Sequence, residues 1–195
     1  MTEEARMSIL DHLSELRDRL FKAVIALAVG AVLGTFITPP LLRLLIAPLG
    51  DQVPLAISPT EAPAVFFKVS LVIGMVVAMP VIVFQIFRFV APGLRPQEKR
   101  YVFIGAPVAA MSFAAGVVFA AFVLIPAAIP FLRGFLGDIV EQRYSIDRYI
   151  SFVSTVLLWA GLVFETPLVM LFLAKLGVAS SEAFGKARRG VVIGA

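Results

Sequence analysis

Leu157-Leu-Trp-Ala-Gly-Leu-Val-Phe-Glu-Thr-Pro-Leu-Val-Met-Leu-Phe-Leu-Ala174 decides the fold class of this chain. Wound as a helix at about 1.5 Å per residue, such a run covers most of a hydrocarbon core roughly 30 Å thick. One carboxylate, Glu165, sits near its centre. An ionised acid at that depth is expensive unless it is paired, hydrated or neutralised, which makes an intramembrane acid a candidate functional group. The plainer alternative is a neutral acid hydrogen-bonded to a neighbouring helix. Thr166 and Pro167 follow it, and the proline frees a backbone carbonyl nearby. The expectation is that Glu165 faces a hydrated concave pocket rather than lipid.

The rest of the chain has the same character. It is 60% hydrophobic and 15% charged, against roughly 45–50% and about 25% in soluble domains. Further spans are expected at about 20–38, 64–90 and 101–131, with the run above extending over about 149–176. A fifth starts near Gly190. The first is expected to stop at Pro39-Pro40, because each proline removes a helical donor and clashes with the preceding turn. Pro80, Pro107, Pro126, Pro130 and Pro167 fall inside the later runs and suggest bends. Membrane strands are excluded, since they alternate over about 10 residues and these runs do not. Gly30 and Gly34 form a small-residue step that offers a helix-packing face. Trp159, inside the fourth span, reads as packing, while Tyr101 and Tyr149 at span ends fit an aromatic belt.

Composition also narrows the chemistry. There is no Cys and a single His, His12, so thiolate sites, disulfides and His-clustered zinc are excluded. The sequence pI of 9.8 does not point to nucleic acid, because the basic residues flank apolar runs. Arg6, Arg17, Arg19, Lys22, Arg88, Arg95, Lys99, Arg100, Lys175, Lys186, Arg188 and Arg189 share one side of the expected topology. Arg43, Lys68, Arg133, Arg143 and Arg148 fall on the other. The positive-inside rule puts the N-terminus in the cytoplasm. The outer connections 39–63 and 132–148 then carry Leu41, Leu42, Leu44, Leu45, Ile46, Phe135, Leu136 and Ile139. That is too apolar for solvated loops, and short amphipathic helices forming a cap on the membrane are expected.

His12-Leu-Ser-Glu-Leu-Arg-Asp-Arg-Leu20 reads as an amphipathic helix with Ile9, Leu13, Leu16 and Leu20 on one stripe. Glu15 and Arg19 are four apart, the spacing of a helical ion pair. Glu98 lies in the segment just ahead of the third span, where the dipole of that helix favours an acid. Two acids on one face can instead clamp a guanidinium through forked hydrogen bonds. From the residues alone, three functions fit: a receptor and translocase for peptide-bearing cargo, an ion-coupled secondary transporter using Glu165 as proton carrier, or a membrane enzyme. The enzyme is weakest, having no acid–base or nucleophile constellation. The transporter lacks the internal repeats it tends to show.

In several segments the chain resembles the TatC family, the multispanning receptor subunit of the twin-arginine protein translocase. The resembling residues are His12–Leu20, Ala47-Pro-Leu49, Ser58-Pro-Thr-Glu61, Phe89-Val-Ala-Pro-Gly-Leu94 with Glu98, Tyr149-Ile-Ser-Phe152, Gly161-Leu-Val-Phe-Glu-Thr-Pro167 and Lys186-Ala-Arg-Arg189. The resemblance implies an all-α, polytopic, glove-shaped bundle of six helices, of which this chain holds four and the start of a fifth. It implies a role in exporting folded proteins across the cytoplasmic membrane, driven by the proton-motive force and with no cofactor. Glu15 and Glu98 match the acids that bind the arginine pair of a signal peptide. Phe89 matches a residue linked to signal recognition, and Glu165 the acid of the concave pocket. Leu16, Arg17, Pro48, Pro92 and Pro167 fall within the same motifs. Implied partners are single-span TatA- and TatB-type proteins, cargo signal peptides and further copies of the chain.

Two departures stand out. The sequence stops at Ala195, before the remainder of the fifth helix, an outer loop and a sixth, as in a C-terminally truncated member. Glu61-Ala-Pro-Ala-Val-Phe-Phe67 also places its aromatics later than the family usually does.

Overall fold

The structure, a computed structural model, describes residues 9–90, 99–135, 139 and 143–175. Five α-helices follow in order: α1 (Ile9–Ile46), α2 (Glu61–Val90), α3 (Lys99–Phe119), α4 (Ile125–Gly134) and α5 (Ile146–Lys175). A 3-10 turn, Ala47–Leu49, ends α1, and a π-helical stretch, Ala120–Leu124, joins α3 to α4 without a break. Among the described residues, four helical segments are long and apolar enough to cross a membrane: Asp11–Leu49, Glu61–Phe89, Ile104–Gly134 and Ile146–Leu171. Outward-facing residues such as Phe36, Phe21, Met111 and Trp159 remain well exposed. Such a surface suits a bundle whose solvent is lipid. The expected fifth span near Gly190 lies outside the described residues.

The first span does not stop at the proline pair. Pro39 and Pro40 lie inside α1, which runs on to Ile46. The reason is tertiary. Gly34, Thr38, Leu45 and Leu49 form one buried stripe that passes the prolines without interruption, while both proline rings are exposed on the opposite side. Leu45 and Leu49 enter a core with Val65, Val69, Ile125, Tyr149, Ile150 and Val153. Burying side chains of this size stabilises by about 1.5–3 kcal/mol each, which offsets the loss of two backbone hydrogen bonds. The segment expected as a separate amphipathic helix is therefore the end of α1.

α1 and α2 pack along Gly30 and Gly34. A methyl group on Gly30 would sit 2.7 Å from the Gly74 carbonyl oxygen, and one on Gly34 2.6 Å from that of Ser70. The small-residue step thus serves contact within the chain. Beside it, the Thr38 hydroxyl donates to Gly34 O (2.9 Å) and lies 2.8 Å from Ser70 Oγ, fully buried. A second core gathers Met79, Val83 and Phe87 of α2 with Ala106, Ala109 and Phe113 of α3. In the π-helical stretch, the Ile125 amide reaches back to Ala120 O. This wider turn comes just before Pro126, which has no N–H to give.

The connections at the end away from the N-terminus are tied together. Leu55 N–H donates to Tyr144 O (3.0 Å), and Ile146 N–H to Leu55 O (2.9 Å). The Tyr149 hydroxyl donates to Leu45 O (2.7 Å), and Arg133 Nη1 to Leu49 O (3.0 Å). Glu61 Oε2 accepts from Ile57 N–H and from the Ser145 hydroxyl, joining the Ser58-Pro-Thr-Glu61 turn to the start of α5. Leu45 and Leu49 are buried, whereas Phe135 and Ile139 keep 63% and 79% exposure.

Candidate functional site

Two polar regions occupy different depths of the bundle. The first lies at its N-terminal end. α1 carries His12 and Glu15 one turn apart, and the end of α2 brings Phe89 against them. The imidazole stacks on the Phe89 ring with centroids 4.4 Å apart and planes inclined by 16°. His12 Nδ1 lies 3.7 Å from Glu15 Oε2. Arg19 Nε donates to Glu15 Oε1 at 3.1 Å, and Arg19 Nη2 reaches the same oxygen. Arg17 turns away to Asp18 (2.9 Å), and both are largely exposed. Leu16 is exposed on α1. Glu15 and Phe89 thus come together through His12. The spacing of His12 from Glu15 is legible in the sequence; its stacking on a residue 77 positions later is not. Glu98 and Pro92 lie outside the described residues.

The second region surrounds Glu165, ten residues and about 15 Å before the end of α5. Its side chain is 8% exposed, and Oε1 has no hydrogen-bond partner. It lies one turn beyond the closest approach of α3 and α5. There a methyl group on Gly116 would meet Ala160 O at 2.6 Å, and one on Gly161 would meet the Phe113 ring at 2.5 Å. The Ser112 hydroxyl crosses from α3 to Phe164 O on α5 at 2.7 Å. Val108, Ser112, Phe164, Pro167 and Leu168 border a groove of about 570 Å³ beside this crossing. Glu165 is not among the residues lining it. The carboxyl sits inside the α3–α5 contact, away from the lipid-facing side.

A third cluster joins α2 to α5. Lys68 Nζ on α2 contacts Asp147 Oδ1 and Ser151 Oγ on α5, both at 2.6 Å. Lys68 and Ser151 line a groove of about 330 Å³ together with Leu71, Met75, Ser154, Thr155 and Leu158. A lysine inside an apolar helix was a readable signal. Pro48 lies in the 3-10 turn at the same end of the bundle. Among the described residues no group of acids and His has the arrangement of a metal site.

The family model described as Sec-independent protein translocase protein (TatC) matches residues 11–195. The chain belongs to the TatC family. It is 40% identical to the Sec-independent protein translocase protein TatC of Synechocystis, over 99% of this chain and 76% of that protein. Against the chloroplastic TATC of rice it is 39% identical, over all of this chain and 55% of that one. The crystal structure described as twin arginine translocase receptor TatC superposes with a TM-score of 0.82 and 33% identity, over 93% of this chain and 82% of that chain. The helical bundle of the described residues is thus that of TatC, and the chain is a multipass membrane protein. None of these matches favours a secondary transporter.

Proposed function

We propose that this TatC chain is the signal-peptide receptor of a twin-arginine translocase and takes the arginine pair at the N-terminal end of its bundle. The observation that carries the reading is that a carboxylate, Glu15, and an aromatic ring from another helix, Phe89, both lie against the same side chain, His12. A carboxylate accepts the forked donors of a guanidinium, and an aromatic ring offers it a face. Glu98 supplies the second carboxylate. This end faces the cytoplasm of a cell membrane, in keeping with the twelve Lys and Arg residues assigned to that side. TatA- and TatB-type single-span proteins and further copies of the chain complete the machine, the cargo is folded, and the proton-motive force drives export. The buried Glu165 acts later, when the polar cargo chain crosses.

Crosslinking of a photo-reactive twin-arginine peptide in membranes tests this. Charge-assisted hydrogen bonds contribute about 1.5–3 kcal/mol each, so Glu98→Ala is expected to weaken labelling roughly tenfold or more. Unchanged labelling in both Glu15→Ala and Glu98→Ala overturns the assignment.

A further inference from the structure

The Glu15 carboxylate is already occupied. Arg19 directs Nε and Nη2 at Oε1, as a bound arginine would, and His12 stands 3.7 Å from Oε2. The pair is sheltered: the Arg19 side chain is 15% exposed and that of Glu15 23%, against 70% and 60% for Arg17 and Asp18. The helix holds the pair in register, because Glu followed four residues later by a cation is the favourable order. We propose that Arg19 is an internal surrogate for the signal peptide's arginine, which holds Glu15 in the unliganded protein and must release it when a ligand guanidinium arrives. Arg19 thereby sets the affinity of the site. The inference rests on the reading of Glu15 as the arginine acceptor.

The displacement cost follows from the pair itself. Ion pairs of this exposure contribute about 0.2–1 kcal/mol, so freeing Glu15 in advance is expected to tighten peptide binding by a factor of about 1.4 to 5. Removing any nearby cation also favours a cationic ligand. Lys22, one turn further along α1, controls for that general effect.

The experiment titrates a photo-reactive twin-arginine peptide against the 195-residue chain in lipid vesicles, with variants Arg19→Gln, Arg19→Lys, Lys22→Gln, Glu15→Gln and the double variant Arg19→Gln/Glu15→Gln. The expected result is tighter binding in Arg19→Gln and a smaller gain in Arg19→Lys, which keeps the charge but loses the fork. Lys22→Gln is expected to gain less than Arg19→Gln, and the Arg19→Gln gain to vanish in the Glu15→Gln background. Weaker or unchanged binding in both Arg19 variants overturns the surrogate, as does an equal gain in Lys22→Gln. If Glu15→Gln by itself binds as well as the parent, the acceptor reading falls and the surrogate with it. If Glu15→Gln weakens binding while Arg19→Gln does not tighten it, only the surrogate falls.

Discussion

Gly116→Ala is expected to loosen the α3–α5 crossing that positions Glu165. The added methyl would lie 2.6 Å from Ala160 O and 2.9 Å from Gly161 Cα, both backbone atoms that cannot swing aside. Ordinary contact begins at 3.4 Å, so the helices must part by about 0.8 Å, the difference between 3.4 and 2.6. The same separation stretches the Ser112–Phe164 hydrogen bond from 2.7 Å to about 3.5 Å, the limit of such a bond. Overpacking costs about 1–3 kcal/mol, and an interhelical hydrogen bond in a membrane averages about 0.6 kcal/mol. Ala gains up to about 1 kcal/mol over Gly in helix propensity. The net destabilisation is about 0.6–2.6 kcal/mol. Thermal unfolding of the detergent-solubilised protein measures it, with Gly134→Ala as control, since a methyl there meets nothing within 4 Å. Gly116→Ala as stable as the parent, or a loss matched by Gly134→Ala, would refute the close crossing. Signal-peptide crosslinking at Glu15 is expected to persist in the variant.

Glu165→Gln keeps shape but not charge. It is expected to slow cargo export and leave peptide crosslinking intact, and full export by both Glu165→Gln and Glu165→Leu would remove this residue from the mechanism. Lys68→Met alone leaves the Asp147 carboxylate without its cation. It is expected to be less stable in thermal unfolding than Lys68→Met/Asp147→Leu, by about 1 kcal/mol after allowing for partial hydration. Equal stability of the two would show that the pair is not coupled. Thr38→Val loses the buried hydroxyl between α1 and α2 and is expected to cost about 0.6 kcal/mol, read as a lowered unfolding midpoint that Thr38→Ser restores.

Much of the architecture is legible because apolar length is a one-dimensional property. A helix that must cross about 30 Å of hydrocarbon writes its span directly into composition, and α2, α3 to α4 and α5 follow the apolar runs to within a few residues. Glu165 stood out for the same reason, as a carboxylate in a run where charge is costly. The proline rule misled at Pro39-Pro40 because it weighs only local hydrogen bonds. Leu45 and Leu49 find their neighbours on α2, α4 and α5, and that burial outweighs the local defect.

The sequence by itself determined that this is a helical membrane protein, where the helices after the first run, and which acid sits at unusual depth, since these depend on transfer from water to lipid residue by residue. It also marked Gly30 and Gly34 as a place of close approach. Tertiary structure alone decided that α2 is the helix they approach, that Phe89 covers His12 beside Glu15, and that Lys68 meets Asp147. It also decided that the Glu165 carboxyl turns into the α3–α5 contact. Each of these joins residues far apart in the chain, and the choice among possible neighbours rests on how helix surfaces interlock, which local composition does not encode.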